Sequence, residues 1–112
     1  MCPDFENTRR LSRKEAGLLR LLLACAETSV HIGALESIEV EPMDDGGMGS
    51  LYFPSPQKPR AQRRFGKCVA RTEFTDDDGV VVSAALNVDQ DGDLFELDIW
   101  KTDFSPVSSL PG

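Results

Sequence analysis

The sequence predicts an α+β fold: one N-terminal helix packed on one face of a curled antiparallel sheet of about five strands. Three observations predict it. The apolar rhythm is helical over residues 12–26 and changes to period two from residue 36. The strand-like stretches are joined by short Asp/Gly turns, which impose antiparallel neighbours. A helix with one apolar stripe and a sheet with one apolar face each need cover, and each supplies it to the other.

The elements follow in chain order. Residues 1–10 are polar and read as a flexible lead; residues 11–112 read as a single domain of ordinary size. Ser12 and Glu15 form a capping box, in which the serine oxygen meets the Glu15 amide and the Glu15 carboxylate reaches back. Leu18, Leu19, Leu22, Leu23 and Ala26 make the core-facing stripe, and Leu21 and Cys25 are expected to widen it. Gly17 costs about 1 kcal/mol against alanine inside a helix, so a close packing partner is expected there. The helix is expected to end by Thr28-Ser29, with a turn over residues 31–35.

Glu36 to Glu41 alternates acidic and apolar residues, with Ile38 and Val40 facing in. Asp44-Asp45-Gly46-Gly47 turns the chain, and Leu51-Tyr52-Phe53 is a short strand stopped by Pro54. Three prolines then punctuate a loop to about Arg63. Phe65 to Thr75 reads as a strand with Cys68, Ala70 and Phe74 on one face. Val80 to Val88 is almost continuously apolar and β-branched. Leu94 to Lys101 alternates Phe95, Leu97 and Ile99 with Glu96, Asp98 and Trp100. Phe104, Pro106, Val107 and Leu110 are expected to fold the tail back onto the body.

Composition narrows the function classes. The longest apolar run, Leu21 to Ala26, is far shorter than a membrane span, and the polar start does not read as a secretory leader. Cys2, Cys25 and Cys68 are odd in number and lack CxxC spacing, which points to a reducing cytoplasm; Cys25 and Cys68 read as small core residues and Cys2 as an exposed thiol. The one histidine, His31, has no nucleophile signature beside it and reads as structural or merely exposed, so enzymatic chemistry finds little support. No cofactor motif is present.

Charge is segregated along a chain whose net charge is -7. Residues 36–57 carry five acids and no base, residues 58–71 six bases and no acid, and residues 72–112 ten acids and one base. The basic stretch holds one aromatic, Phe65, and the acidic remainder would repel a phosphate backbone, which weighs against nucleic acid. In a simple meander the turn at 89–93 lies at the same sheet end as the 54–64 loop, so these bases are expected to pair with acids of the same chain.

Three motifs invite chemistry. Asp89, Asp91 and Asp93 are spaced as oxygen ligands of a hard cation, yet the positions where an EF-hand loop needs Gly and Glu are Leu94 and Trp100. An exposed, metal-free hairpin turn is the expected reading. Gly46-Gly47-Met48-Gly49-Ser50 could cradle an anion, but two aspartates precede it, so positive-φ glycines in a wide turn are expected. Glu96, Asp98 and Trp100 on one strand face offer an apolar anchor between carboxylates. The competing reading is that the C-terminal tail covers Trp100.

Asp44-Asp45-Gly46-Gly47-Met48-Gly49-Ser50-Leu51 and Leu94-Phe95-Glu96-Leu97-Asp98-Ile99-Trp100-Lys101-Thr102-Asp103-Phe104-Ser105-Pro106, with Leu11 to Glu15, resemble a small bacterial family catalogued as a domain of unknown function. The resemblance implies a bacterial, cytoplasmic, single-domain protein and transfers no catalytic residue. The residues themselves favour a non-enzymatic protein-binding module for a basic partner. The alternatives are an immunity-type inhibitor of a basic toxin domain, a metal-binding or enzymatic module built on the aspartate turns, and a subunit that forms a homodimer.

Overall fold

The computed structural model describes residues 8–26, 30, 34–44 and 46–110. Cys2, Thr28, Ser29, His31 and Asp45 lie outside the described residues. The chain order is β1 (Arg9–Arg10), α1 (Arg13–Cys25), a 3-10 turn (Leu35–Ser37), β2 (Glu39–Pro42), β3 (Leu51–Tyr52), a second 3-10 turn (Arg60–Gln62), β4 (Phe65–Thr75), β5 (Val81–Asp89) and β6 (Leu94–Lys101). The strands form one open antiparallel sheet in the order β1-β2-β3-β6-β5-β4. The described residues thus form six strands where the sequence predicts about five. The added strand is β1, whose two residues pair with Val40 and Glu39. Arg9 and Arg10, placed by the sequence reading in a polar lead, are held there because Arg9 also forks onto Glu15 at 2.7 and 2.8 Å.

The capping box is present in both directions: the Ser12 hydroxyl accepts from the Glu15 amide at 3.1 Å, and the Glu15 carboxylate accepts from the Ser12 amide at 2.9 Å. Burial raises the Glu15 pKa, and the bonds from Arg9 and Ser12 more than reverse that, so its carboxyl sits below the ordinary value. Leu18, Leu19 and Leu22 are buried and face β4 and β5. Leu21 is 45% exposed and Cys25 is exposed, against the wider stripe expected. The helix lies on one side of the sheet only, so a single stripe suffices. A Cβ at Gly17 would meet nothing within 4 Å, so no packing partner accounts for that glycine.

The glycine turn between β2 and β3 has positive φ at Gly46, Gly47 and Gly49, as expected of a wide hairpin. Ser50 stitches it to β6: its hydroxyl accepts from the Ile99 amide at 2.8 Å and donates to the Ile99 carbonyl at 3.0 Å.

Register shifts reset the strand alternation. The register of β4 against β5 shifts between Cys68 and Ala70, so Val69 is the extra residue. Ala70, Thr72 and Phe74 then pair with core-facing residues of β5, while Cys68 is half-buried opposite Asn87 on the other face. In β6 the shift beside Asn87 and Val88 sends Leu94 into the core and leaves Phe95 outside it, packed edge-on against Tyr52. Gly66 is dictated by close approach, since a Cβ there would lie 2.1 Å from the Asp89 carbonyl oxygen. Val107 and Leu110 pack on the core, so the tail does fold back, while Phe104 stays 73% exposed.

Candidate functional site

Residues opposite one another in an antiparallel ladder share a sheet face. The registers therefore set Glu73, Ser83 and Trp100 in one row, Arg71, Ala85 and Asp98 in the next, and Cys68, Asn87, Glu96 and Tyr52 in a third. Leu86 and Leu97, one residue along, face α1 and the core, so these three rows form the face that α1 does not cover. Glu96, Asp98 and Trp100 come together on it, all half-buried. Phe95, expected inside with Leu97 and Ile99, is buried beside Tyr52 instead.

Fixed partners position this face. Asn87 is buried, and its Nδ2 donates to Asp98 Oδ2 at 2.9 Å, which orients that carboxylate. Burial, reinforced by the charge of Asp98, raises the Glu96 carboxyl above its ordinary range. Arg60 lies 4.2 Å over the Tyr52 ring and reaches Glu41 at 3.5 Å. At the other end, Val81 is 40% exposed, and its carbonyl accepts from the Thr102 amide, which puts it diagonally beside Trp100. The sequence hides Val81 within an almost continuously apolar stretch, Val80 to Val88. Its signal is strand position: Val81 opens β5, where the sheet ends.

The tail is tied elsewhere. Val107 donates its amide to the Gly47 carbonyl at 3.1 Å, and the Ser108 and Ser109 amides donate to Asp76 at 2.8 and 3.0 Å. Val107 and Leu110 go to the core, on the side of the sheet away from Trp100, while Phe104 is exposed.

The three aspartates of the 89–93 turn converge on a cation built into the chain. Lys58 Nζ stands 2.6 Å from Asp89, 2.9 Å from Asp91 and 2.9 Å from Asp93. Asp89 is buried, against the exposed turn expected, because Arg63 also pairs with it at 3.0 Å while both side chains are fully buried. Arg63 further donates to the Phe53 and Leu94 carbonyls, each at 2.6 Å. Burial alone would raise the Asp89 pKa; bonds from Lys58, the Asp93 and Asp91 amides and Arg63 outweigh it and hold the carboxyl at about 2. Among the described residues, no group of three or more His, Cys, Asp or Glu side chains is arranged to hold a metal ion. The loop bases Lys58, Arg60 and Arg63 thus pair within the chain, as the meander topology predicts, while Arg64, Lys67 and Arg71 remain exposed.

A second buried cluster goes beyond what the sequence predicts. Lys101 Nζ sits between Asp76 at 2.8 Å and Asp78 at 2.6 Å, with Lys101 and Asp76 both buried. Hydrogen bonds from Lys101 and the Ser108 amide pull the Asp76 carboxyl well below its usual range. The strand pattern does carry a signal for it: the inward alternation Leu97, Ile99 lands next on Lys101.

Fold and face together define an α+β domain with one sheet face buried under a helix and an opposite face, free of that helix, bearing an aromatic residue among carboxylates. The chain belongs to the family described as Domain of unknown function (DUF6984), whose profile matches residues 8–111. No curated protein and no solved structure gives a significant match. No helix among the described residues is long and apolar enough to cross a membrane.

Proposed function

We propose that this chain is a non-enzymatic protein-binding module that docks a basic partner on the sheet face opposite α1. One observation carries the reading: half-buried Trp100 stands beside exposed Val81, with Glu96 and Asp98 on the same face. Apolar area at the centre supplies contact energy, and the carboxylates choose the sign of the partner and steer its approach. Asp98 is already oriented by Asn87, so little ordering remains to be done on binding. Glu96 is partly desolvated before any partner arrives, which lowers the cost of meeting a cation. Bacterial origin and a reducing cytoplasm belong to the same reading, with Cys25 and Cys68 as free thiols.

The experiment uses three baits from an extract of the native host: the parent, Trp100→Ala, and Glu96→Gln with Asp98→Asn. A protein captured by the parent should bind Trp100→Ala weaker by about 2 kcal/mol or more, with the melting temperature of the bait unchanged. The carboxylate variant should slow association, and added salt should slow that of the parent. Equal capture by parent and Trp100→Ala would remove this face from consideration. Trp100 is the only tryptophan, so its fluorescence reports the same contact directly.

A further inference from the structure

The two edges of the sheet differ. β1 is two residues long, and a short edge offers little to an added strand. β4 is eleven residues long, contains no proline, and no described strand pairs with its outer side. Edge strands are commonly guarded by bulges and lysine. Here both guards fall in the first half: the register shifts lie between Phe65 and Lys67 and between Cys68 and Ala70, and Lys67 stands between them. From Ala70 to Thr75 the register against β5 runs unbroken.

That regular half is self-complementary. Laid antiparallel against a copy of itself with Thr72 on the two-fold axis, it places Arg71 opposite Glu73 twice and Ala70 opposite Phe74 twice. Arg71 and Glu73 are exposed, and Arg71 has no ion-pair partner among the described residues. The register is also allowed by the backbone. It joins residues of like parity, so the amides and carbonyls facing outward on one copy meet those facing outward on the other. We propose that the Ala70–Phe74 edge of β4 is where a second copy of this chain adds, joining two six-stranded sheets into one continuous sheet. Paired residues of an antiparallel ladder share a face, so both copies would present their Trp100 faces on the same side, as one bivalent surface.

Charge reversal tests this on the full chain, because both positions are exposed. In sedimentation equilibrium the parent should self-associate. Arg71→Glu should weaken the dimer about tenfold or more, since the introduced carboxylate would face Glu73 of the other copy; Glu73→Arg should do the same by setting two guanidinium groups opposite each other. Mixing the two single variants should restore association as a heterodimer, because one variant contributes only acids to the facing pairs and the other only bases. The double variant Arg71→Glu with Glu73→Arg should self-associate like the parent. Circular dichroism confirms that each variant is folded. A parent that stays monomeric, single variants that dimerise as the parent does, or a mixture that stays monomeric would each overturn the proposal. A foreign strand as the true occupant of this edge gives the first of these results.

Discussion

At one end of β5 the turn that begins at Asp76, and at the other the turn that begins at Asp89, each bury an aspartate against a basic side chain. The bases at the two ends come from different kinds of place. Arg63 and Lys58 belong to the loop between β3 and β4, and their pairing fastens that loop to the sheet. Lys101 belongs to β6 itself, and what Asp76 fastens is the tail, through the Ser108 and Ser109 amides. The same carboxylate chemistry therefore acts on the chain through a side chain at one end and through backbone at the other. A buried charge is costly unless paired, so at both ends the partner must be supplied by the fold.

The largest expected effect follows from that difference. Arg63 bonds Asp89 and also the Phe53 and Leu94 carbonyls. Arg63→Ala takes the buried guanidinium from Asp89, which keeps Lys58 and the Asp91 and Asp93 amides, strips the Phe53 and Leu94 carbonyls of this donor, and should cost about 3–5 kcal/mol in a urea titration. Lys101→Met should cost less, because beyond its carboxylates Lys101 reaches one carbonyl, that of Pro106 at 3.2 Å, where Arg63 serves two at 2.6 Å, and Asp76 keeps the amides of Asp77, Ser108 and Ser109. A Lys101 variant that loses as much as the Arg63 variant would erase the distinction between the two ends.

Acid comes next, and it should attack both ends. Asp89 is held at about 2, below its ordinary value of 3.8, and Asp76 and Asp78 are lowered by Lys101. A lowered carboxyl adds stability above its unfolded value, and that stability is lost as the pH falls through the folded value. Melting temperature should therefore fall most steeply from about pH 4 down to about pH 2. Asp89→Asn should flatten part of that fall. Asp76→Ala should flatten another part and speed hydrogen exchange at Ser108 and Ser109, which Asp89→Asn should leave alone. Unchanged melting between about pH 5 and about pH 2 would mean that neither cluster supports the fold.

What the sequence discloses divides along similar lines. Ser12 and Glu15 announce the helix start because both halves of a capping box lie three residues apart. The meander of β4, β5 and β6 is readable from local turns, and with it the pairing of the basic loop to the 89–93 turn. β1 is not, since Arg9 and Arg10 carry no apolar period and are ordered by β2 and Glu15. The burial of Asp76 and Lys101 depends on residues far apart in the chain, and a lone lysine in an acidic block reads as surface. The face of Glu96, Asp98 and Trp100 follows from alternation alone. The β6 bulge that moves Phe95 out of the core and the exposure of Val81 do not, because both are set by register against β5 and by where the sheet ends.

The smallest expected effect isolates burial from distance. Lys58 Nζ lies at nearly equal distances from Asp89, Asp91 and Asp93, yet their side chains are 0%, 60% and 37% exposed. Water around Asp91 screens its attraction and competes for the same ammonium, so Asp91→Asn should change stability by only about 0.2–1 kcal/mol. Asp93→Asn should fall in the same range, as its amide still donates to Asp89. Asp89→Asn should cost several times more, because it leaves the buried Arg63 guanidinium without its anion. Salt sharpens the test. At about 1 M the screening length is about 3 Å, so the Asp91 contribution should vanish while that of Asp89 persists. If Asp91→Asn costs as much as Asp89→Asn in urea titrations at both salt concentrations, proximity to Lys58 and not burial governs this end of the molecule.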